Sequence, residues 1–252
     1  MPTSIFLTEL WKYPRSRFVI IVLALIAFES AWVFSALTVA LSRPTEVDKS
    51  VLYALVPASQ IHSLLAPIIL TVLASKLATL EHDARAFKTL FANGVDPHTL
   101  FFSKSLVLFI CNTLISAAHC LTIYAAMTGQ GINTDSLYLT FYFLGILIGG
   151  IATSSIQLYF ALSYEKQQVT LFLGGFGAFI GSMTLFVPKL VALFLPWQYF
   201  GLLSPAKPTF VEGTMVDLSF TPNYALLVGF VLLVGLGITP ALAEAFKRNI
   251  LR

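Results

Sequence analysis

Charge is what this chain has least of. Lys, Arg, Asp and Glu make up 11% of its 252 residues, against about 25% in ordinary soluble domains. That scarcity excludes a free-standing water-soluble domain, and the 57% hydrophobic share has to be buried in lipid or protein. Cysteine is almost missing too. Cys111 and Cys120 are the only two, and their spacing on a helix is about 13 Å of rise, beyond disulfide reach. They read as inert, small apolar side chains. There is no Gly-x-x-x-x-Gly-Lys-Ser/Thr phosphate loop, no His-Glu-x-x-His motif and no Gly-x-Ser-x-Gly elbow. ATP binding by that loop and two common hydrolase devices are therefore excluded. His62, His82, His98 and His119 show no metal-ligand spacing along the chain, so no catalytic, cofactor-binding or metal-binding residue is expected. The net charge of +3 comes from basic residues at the ends of apolar runs and gives no reason to expect nucleic acid.

What the chain does have is a series of apolar runs, each close to the ~20 residues that cross a bilayer. They predict an all-α polytopic membrane protein, one transmembrane domain over 1–252, with six transmembrane helices at about 18–41, 55–79, 105–127, 137–164, 169–187 and 224–243. Residues 3–13 mix Ile5, Phe6, Leu10 and Trp11 with Glu9 and Lys12, a composition that suits an N-terminal interfacial helix. Within residues 188–208, Leu190 to Leu195 is apolar but too short to cross, is bracketed by Pro188 and Pro196, and is followed by Trp197, Tyr199 and Phe200. These features predict a re-entrant element, with a polar loop over 209–223. Small residues recur every fourth position at Gly145, Gly149 and Thr153 and again at Gly177 and Gly181. That spacing predicts close packing of the fourth and fifth spans. Six spans put both termini on one side. All lysines and arginines except Arg43, Lys49, Lys189 and Lys207 fall on that side, which makes it cytoplasmic.

One polar interruption stands out, from Leu80 to Lys104. On a helical wheel Glu81, Arg85, Lys88 and Thr89 share a face, and Leu80, Ala84, Phe87 and Phe91 share the opposite one. Glu81 and Arg85 have the spacing of a helical ion pair. Asn93-Gly94 ends this helix, taken as 80–93. Asp96-Pro97 starts the next, with a capping side chain and a proline at the first position. The piece reads either as a solvated loop on headgroups or as a docking helix for a soluble partner.

Glu29 lies mid-span, where a carboxylate costs about 2.5–3.5 kcal/mol to insert and has to face protein or water. It could line a substrate path or take up a proton. The favoured reading is a structural hydrogen bond to Asn112 or His119, because the spans supply no fixed cation to match it. Ser59, Gln60, His62 and Ser63 make the start of the second span unusually polar. Asn112 and Gln157 read as interhelical hydrogen-bonding residues.

Together these features resemble the six-helix permease subunits of the type-2 class of ABC exporters, along nearly the whole chain. Glu81, Lys88-Thr89-Leu90, Asn93-Gly94-Val95-Asp96-Pro97 and Lys104 carry the resemblance in the first cytoplasmic loop. A departure is His98-Thr99 where many relatives place an arginine. The short chain and the Leu195-Pro196-Trp197-Gln198-Tyr199 stretch resemble the lantibiotic-immunity permeases. The resemblance implies a multi-pass subunit of the cell membrane, paired with a second permease half, identical or related. A separate ABC ATPase, carrying ATP and Mg, would dock on Glu81, Arg85, Lys88 and Thr89. The implied substrate is amphipathic and hydrophobic, drawn from membrane lipids, with antimicrobial peptides as the example. Two other classes stay open: a non-transporting scaffold or sensor, and a membrane enzyme using Glu29, His62 or His119 on a lipid-linked substrate.

Overall fold

Helices run on past the apolar stretches that mark them in the sequence. The computed structural model describes residues 17–45, 47–83, 86–212 and 214–250, without the side chains of Ala86 and Lys88. The expected interfacial helix at 3–13 lies outside these residues. Helix α1 spans Phe18–Ser42, α2 Val51–Asp83, α3 Ala86–Ala92, α4 Pro97–Gly129, α5 Ser136–Ser163 and α6 Gln168–Ser182. Then come α7 (Lys189–Ala192), a 3-10 turn (Pro196–Gln198), α8 (Tyr199–Leu202), strands β1 (Ala206–Val211) and β2 (Thr214–Phe220), and α9 (Tyr224–Ile250).

Five of these helices, α1, α2, α4, α5 and α9, are long and apolar enough to cross a membrane. The chain is an all-α polytopic membrane protein. The expected fifth span differs: α6 has 15 residues, about 22 Å at 1.5 Å per residue. Pro188 disfavours helix at the residue before it, and residues 183–187 turn instead. By contrast α2 and α4 have 33 residues each, about 50 Å long against a hydrocarbon core of about 30 Å. A change from apolar to polar composition ends a span but not a helix, since helical backbone bonds are satisfied in water and in lipid alike. Pro57 and Pro67 lie inside α2 rather than beside a break. Asp96 caps α4 by accepting from the Thr99 backbone N–H at 3.4 Å, and Pro97 occupies the first turn.

α2 is the central helix, in contact with α1, α4, α5 and α6. The outer faces of α1 and α9 carry exposed Ile20, Leu23, Phe28, Leu226, Leu233 and Leu236. These apolar surfaces suit lipid or a second membrane subunit.

The two small-residue stripes, expected to bring the fourth and fifth spans together, do not face each other. Gly145 and Gly149 of α5 lie against Leu203 and Tyr199, and Gly177 and Gly181 of α6 against Trp197 and Ser63. The stripes clasp the segment 196–203 from two sides, because its bulky aromatics need the space that glycines leave. Tyr199 and Phe200 are fully buried there. A second difference follows at 206–220, expected as the end of the re-entrant element and most of a polar loop. It is an antiparallel hairpin, pairing Ala206 with Phe220 and Val211 with Thr214, with a bulge at Thr209/Phe210. The alternation Met215-Val216-Asp217-Leu218-Ser219-Phe220 is a strand signal that polarity alone conceals.

Candidate functional site

Two places concentrate polar side chains. The first is the α2–α4 connection. Phe87 seats α3 on the bundle, with its ring 4.9 Å from that of His82 and 6.4 Å from that of Phe246. Thr89 on the same short helix is exposed. The expected coupling face is otherwise rearranged. Glu81 belongs to the last turn of α2 and is only 2% exposed. Its carboxylate pairs with Lys104 Nζ at 3.1 Å, and the same ammonium donates to the Leu77 carbonyl at 3.2 Å. Because α2 does not stop at residue 80, the wheel that aligned Glu81 with Thr89 spans two helices. Arg85 and the side chain of Lys88 lie outside the described residues. His98, standing where relatives carry arginine, meets Glu244 of α9 at 2.9 Å, and Asp96 meets Lys247 at 3.7 Å. The turn after α3 is thus tied to α9, and α4 is tied to both α9 and α2.

The second place is deep in the bundle. Glu29 of α1, His62 of α2, His119 of α4 and Tyr142 of α5 converge there, all of them buried. His62 Nδ1 lies 2.6 Å from Glu29 Oε1, and His119 Nδ1 lies 2.9 Å from the same oxygen. The Tyr142 hydroxyl and His119 Nε2 are 3.2 Å apart. The two imidazole rings are 4.5 Å apart, and Phe200 covers that of His62 edge-on at 5.3 Å. His62 and His119 thus give Glu29 two imidazole neighbours, neither of them a fixed cation. His119 is a neighbour, without the hydrogen bond that was expected. Asn112 is not: its amide donates to the Leu147 carbonyl at 3.0 Å, joining α4 to α5. Gln157 is fully buried, yet neither of its amide atoms is hydrogen-bonded among the described residues.

The histidines show no metal-ligand spacing along the chain, but the fold brings two of them together with a carboxylate. One ligand atom from each of Glu29, His62 and His119 falls within 4.8 Å of the others. Spacing along one chain segment cannot reveal this, because each residue comes from a different helix. A signal for one pair was present. Glu29 and His62 stand about equally far from the short loop between α1 and α2, and antiparallel neighbours bring such positions together.

Residues 5–181 match the family model described as ABC-2 family transporter protein. No curated protein and no solved structure matches the chain. The matched stretch is well over half of the sequence and holds both polar sites, Glu81 and Lys104 as well as Glu29, His62 and His119. With that match and five membrane-length helices, the chain belongs to the ABC-2 transporter family and is a multi-pass membrane permease of an ABC transporter.

Proposed function

We propose that this permease exports an amphipathic, hydrophobic substrate from the membrane, driven by a separate cytoplasmic ATPase that docks on the connection between α2 and α4. The observation that carries the reading is the mechanical tie beneath α3. A short helix is seated through Phe87, and the buried Glu81–Lys104 pair joins the two long helices on either side of it. A push on α3 therefore moves α2 and α4 together, as a rigid-body gate requires. Thr89, with Arg85 and Lys88 from the sequence, supplies the docking face. Glu81 acts from inside, as the link between helices. ATP and Mg belong to the ATPase chain.

A cavity of about 350 Å³ between α4, α5 and α9 supports the substrate class. Its walls include Phe102, Leu106, Phe109 and Leu236, with hydroxyls from Ser155 and Thr239. Apolar walls with a few polar groups suit a ligand that is itself mostly apolar. The lysine and arginine asymmetry places both termini and α3 in the cytoplasm. The hairpin and the 196–203 segment are then extracytoplasmic, and α6 completes six spans. The apolar outer faces of α1 and α9 are the surfaces for lipid and for a second permease half. Within the class, the Leu195-to-Tyr199 stretch favours lantibiotic immunity, with an antimicrobial peptide as cargo.

The test is reconstitution of the permease with its ATPase in vesicles loaded with a fluorescent cationic, amphipathic peptide. ATP should lower the membrane-bound peptide, and ADP should not. Peptide levels that stay constant while ATP is hydrolysed would reject this substrate class.

A further inference from the structure

The Glu29 cluster is incompletely bonded in a way that points to a ligand. His62 Nδ1 hydrogen-bonds Glu29 Oε1 and is the donor that an ion between them would take, while His62 Nε2 has no hydrogen-bond partner among the described residues. His119 Nδ1 is 2.9 Å from Glu29 Oε1 yet makes no hydrogen bond, because the oxygen lies off the direction an N–H requires. This nitrogen belongs to a side chain 1% exposed, deep in the protein. The other nitrogen of the same ring is held by the Tyr142 hydroxyl. A histidine whose outer nitrogen is fixed by an oxygen partner is oriented to offer the lone pair of its inner nitrogen, the usual setting of a metal-bound imidazole. With Nε2–H donating to the Tyr142 hydroxyl, Nδ1 carries a lone pair and stands 2.9 Å from a carboxylate oxygen with no hydrogen bond between them. A cation bound by both atoms turns this contact from repulsive to attractive.

We propose that Glu29, His62 and His119 bind one divalent transition-metal ion of the zinc type, which clasps α1, α2 and α4 together. The donor set is two imidazoles and one carboxylate, which suits zinc and its neighbours in the first transition row and not calcium or magnesium. Tetrahedral ligand atoms about 2.0–2.1 Å from zinc stand about 3.3 Å apart. The observed 2.6 and 2.9 Å contacts must open by roughly half an ångström, within the reach of side-chain rotation. Every donor is buried, so the ion is captured as the spans assemble and exchanges slowly. A proton shared by the carboxylate and the imidazoles is the competing occupant.

The experiment uses the full-length permease without a polyhistidine tag, produced in zinc-supplemented medium and extracted in detergent. Metal content is measured by elemental analysis before and after dialysis against EDTA, with melting temperature recorded beside it. The expected result is one zinc per chain, retained through dialysis, and absent from folded Glu29→Gln. Tyr142→Phe should weaken affinity by about 10–100-fold and lose its zinc during dialysis. Protein grown on cobalt should show the visible absorption bands of tetrahedral Co(II). If Glu29→Gln does not fold, the wild-type and Tyr142→Phe proteins decide. Folded wild-type protein that is metal-free before dialysis and lacks cobalt bands overturns the proposal, leaving a proton in the site. Zinc held equally well by folded Glu29→Gln also overturns it, because the ion then lies elsewhere.

Discussion

Gly181 sits where α6, α2 and the 196–203 segment meet most tightly, and a single methyl group tests that junction. A Cβ there would stand 2.4 Å from the Ser63 carbonyl oxygen and 2.9 Å from that of Trp197. Both are backbone atoms, so no side chain can swing aside. Non-bonded contacts rest near 3.5–4.0 Å, so α6 would have to withdraw from α2 by about 1 Å. Overpacking of this kind costs about 1–3 kcal/mol. At roughly 2–4 °C per kcal/mol for a chain of this size, the melting temperature should fall by about 2–12 °C. Gly175, on the same helix, is the control, since a Cβ there meets nothing within 4 Å. Gly175→Ala should hold or slightly raise stability, because alanine is the better helix former by about 1 kcal/mol. The assay is fluorescence-detected size-exclusion chromatography of detergent extracts after heating. Gly181→Ala melting level with Gly175→Ala would refute the packing of α6 on α2 and on the Trp197 segment.

Lys104→Met should destabilise the protein by about 3–5 kcal/mol, because it withdraws an ammonium from the buried Glu81 carboxylate. Adding Glu81→Gln should recover part of that loss, read by the same melting assay. Cysteines at Asp48, Asp135 or Asp217 should react with an impermeant thiol reagent in intact cells, and cysteines at Lys88 or Lys166 should not. Reaction at Lys88 from outside would overturn the orientation. Leu106→Trp should narrow the cavity between α4, α5 and α9 and lower peptide release in vesicles, with membrane yield and basal ATP hydrolysis unchanged.

The membrane class, most of the spans and the start of α4 were legible because each rests on local chemistry. Length and hydropathy mark a span, and Asp96-Pro97 marks a helix start whatever surrounds it. The misses share one cause, which is that tertiary packing decides them. Glu81 looked like a surface residue because its neighbours are polar, yet α2 continues far enough to turn it onto Lys104. The glycine stripes correctly announced close approach, but nothing local said that aromatic residues of the 196–203 segment would fill them. The hairpin was hidden by its own polarity, since both of its strands are largely exposed. The Glu29 cluster was half visible: Glu29, His62 and His119 were each named as candidate polar residues, and His119, with Asn112, was offered as the neighbour of Glu29, but His62 was not.

The most direct test of the proposed coupling role of α3 is charge reversal at Arg85 and Lys88. Arg85→Glu together with Lys88→Glu inverts the charge that the sequence supplies to this connection between two spans, so insertion and yield should be unchanged. Co-purification of the permease with its ATPase, and ATP hydrolysis by the assembled complex, are then measured against wild type. The expected result is a loss of association equivalent to a few kcal/mol, with hydrolysis falling to that of the free ATPase. Unchanged association and unchanged hydrolysis in the doubly reversed protein would contradict the docking site and leave α3 as a solvated turn between two spans.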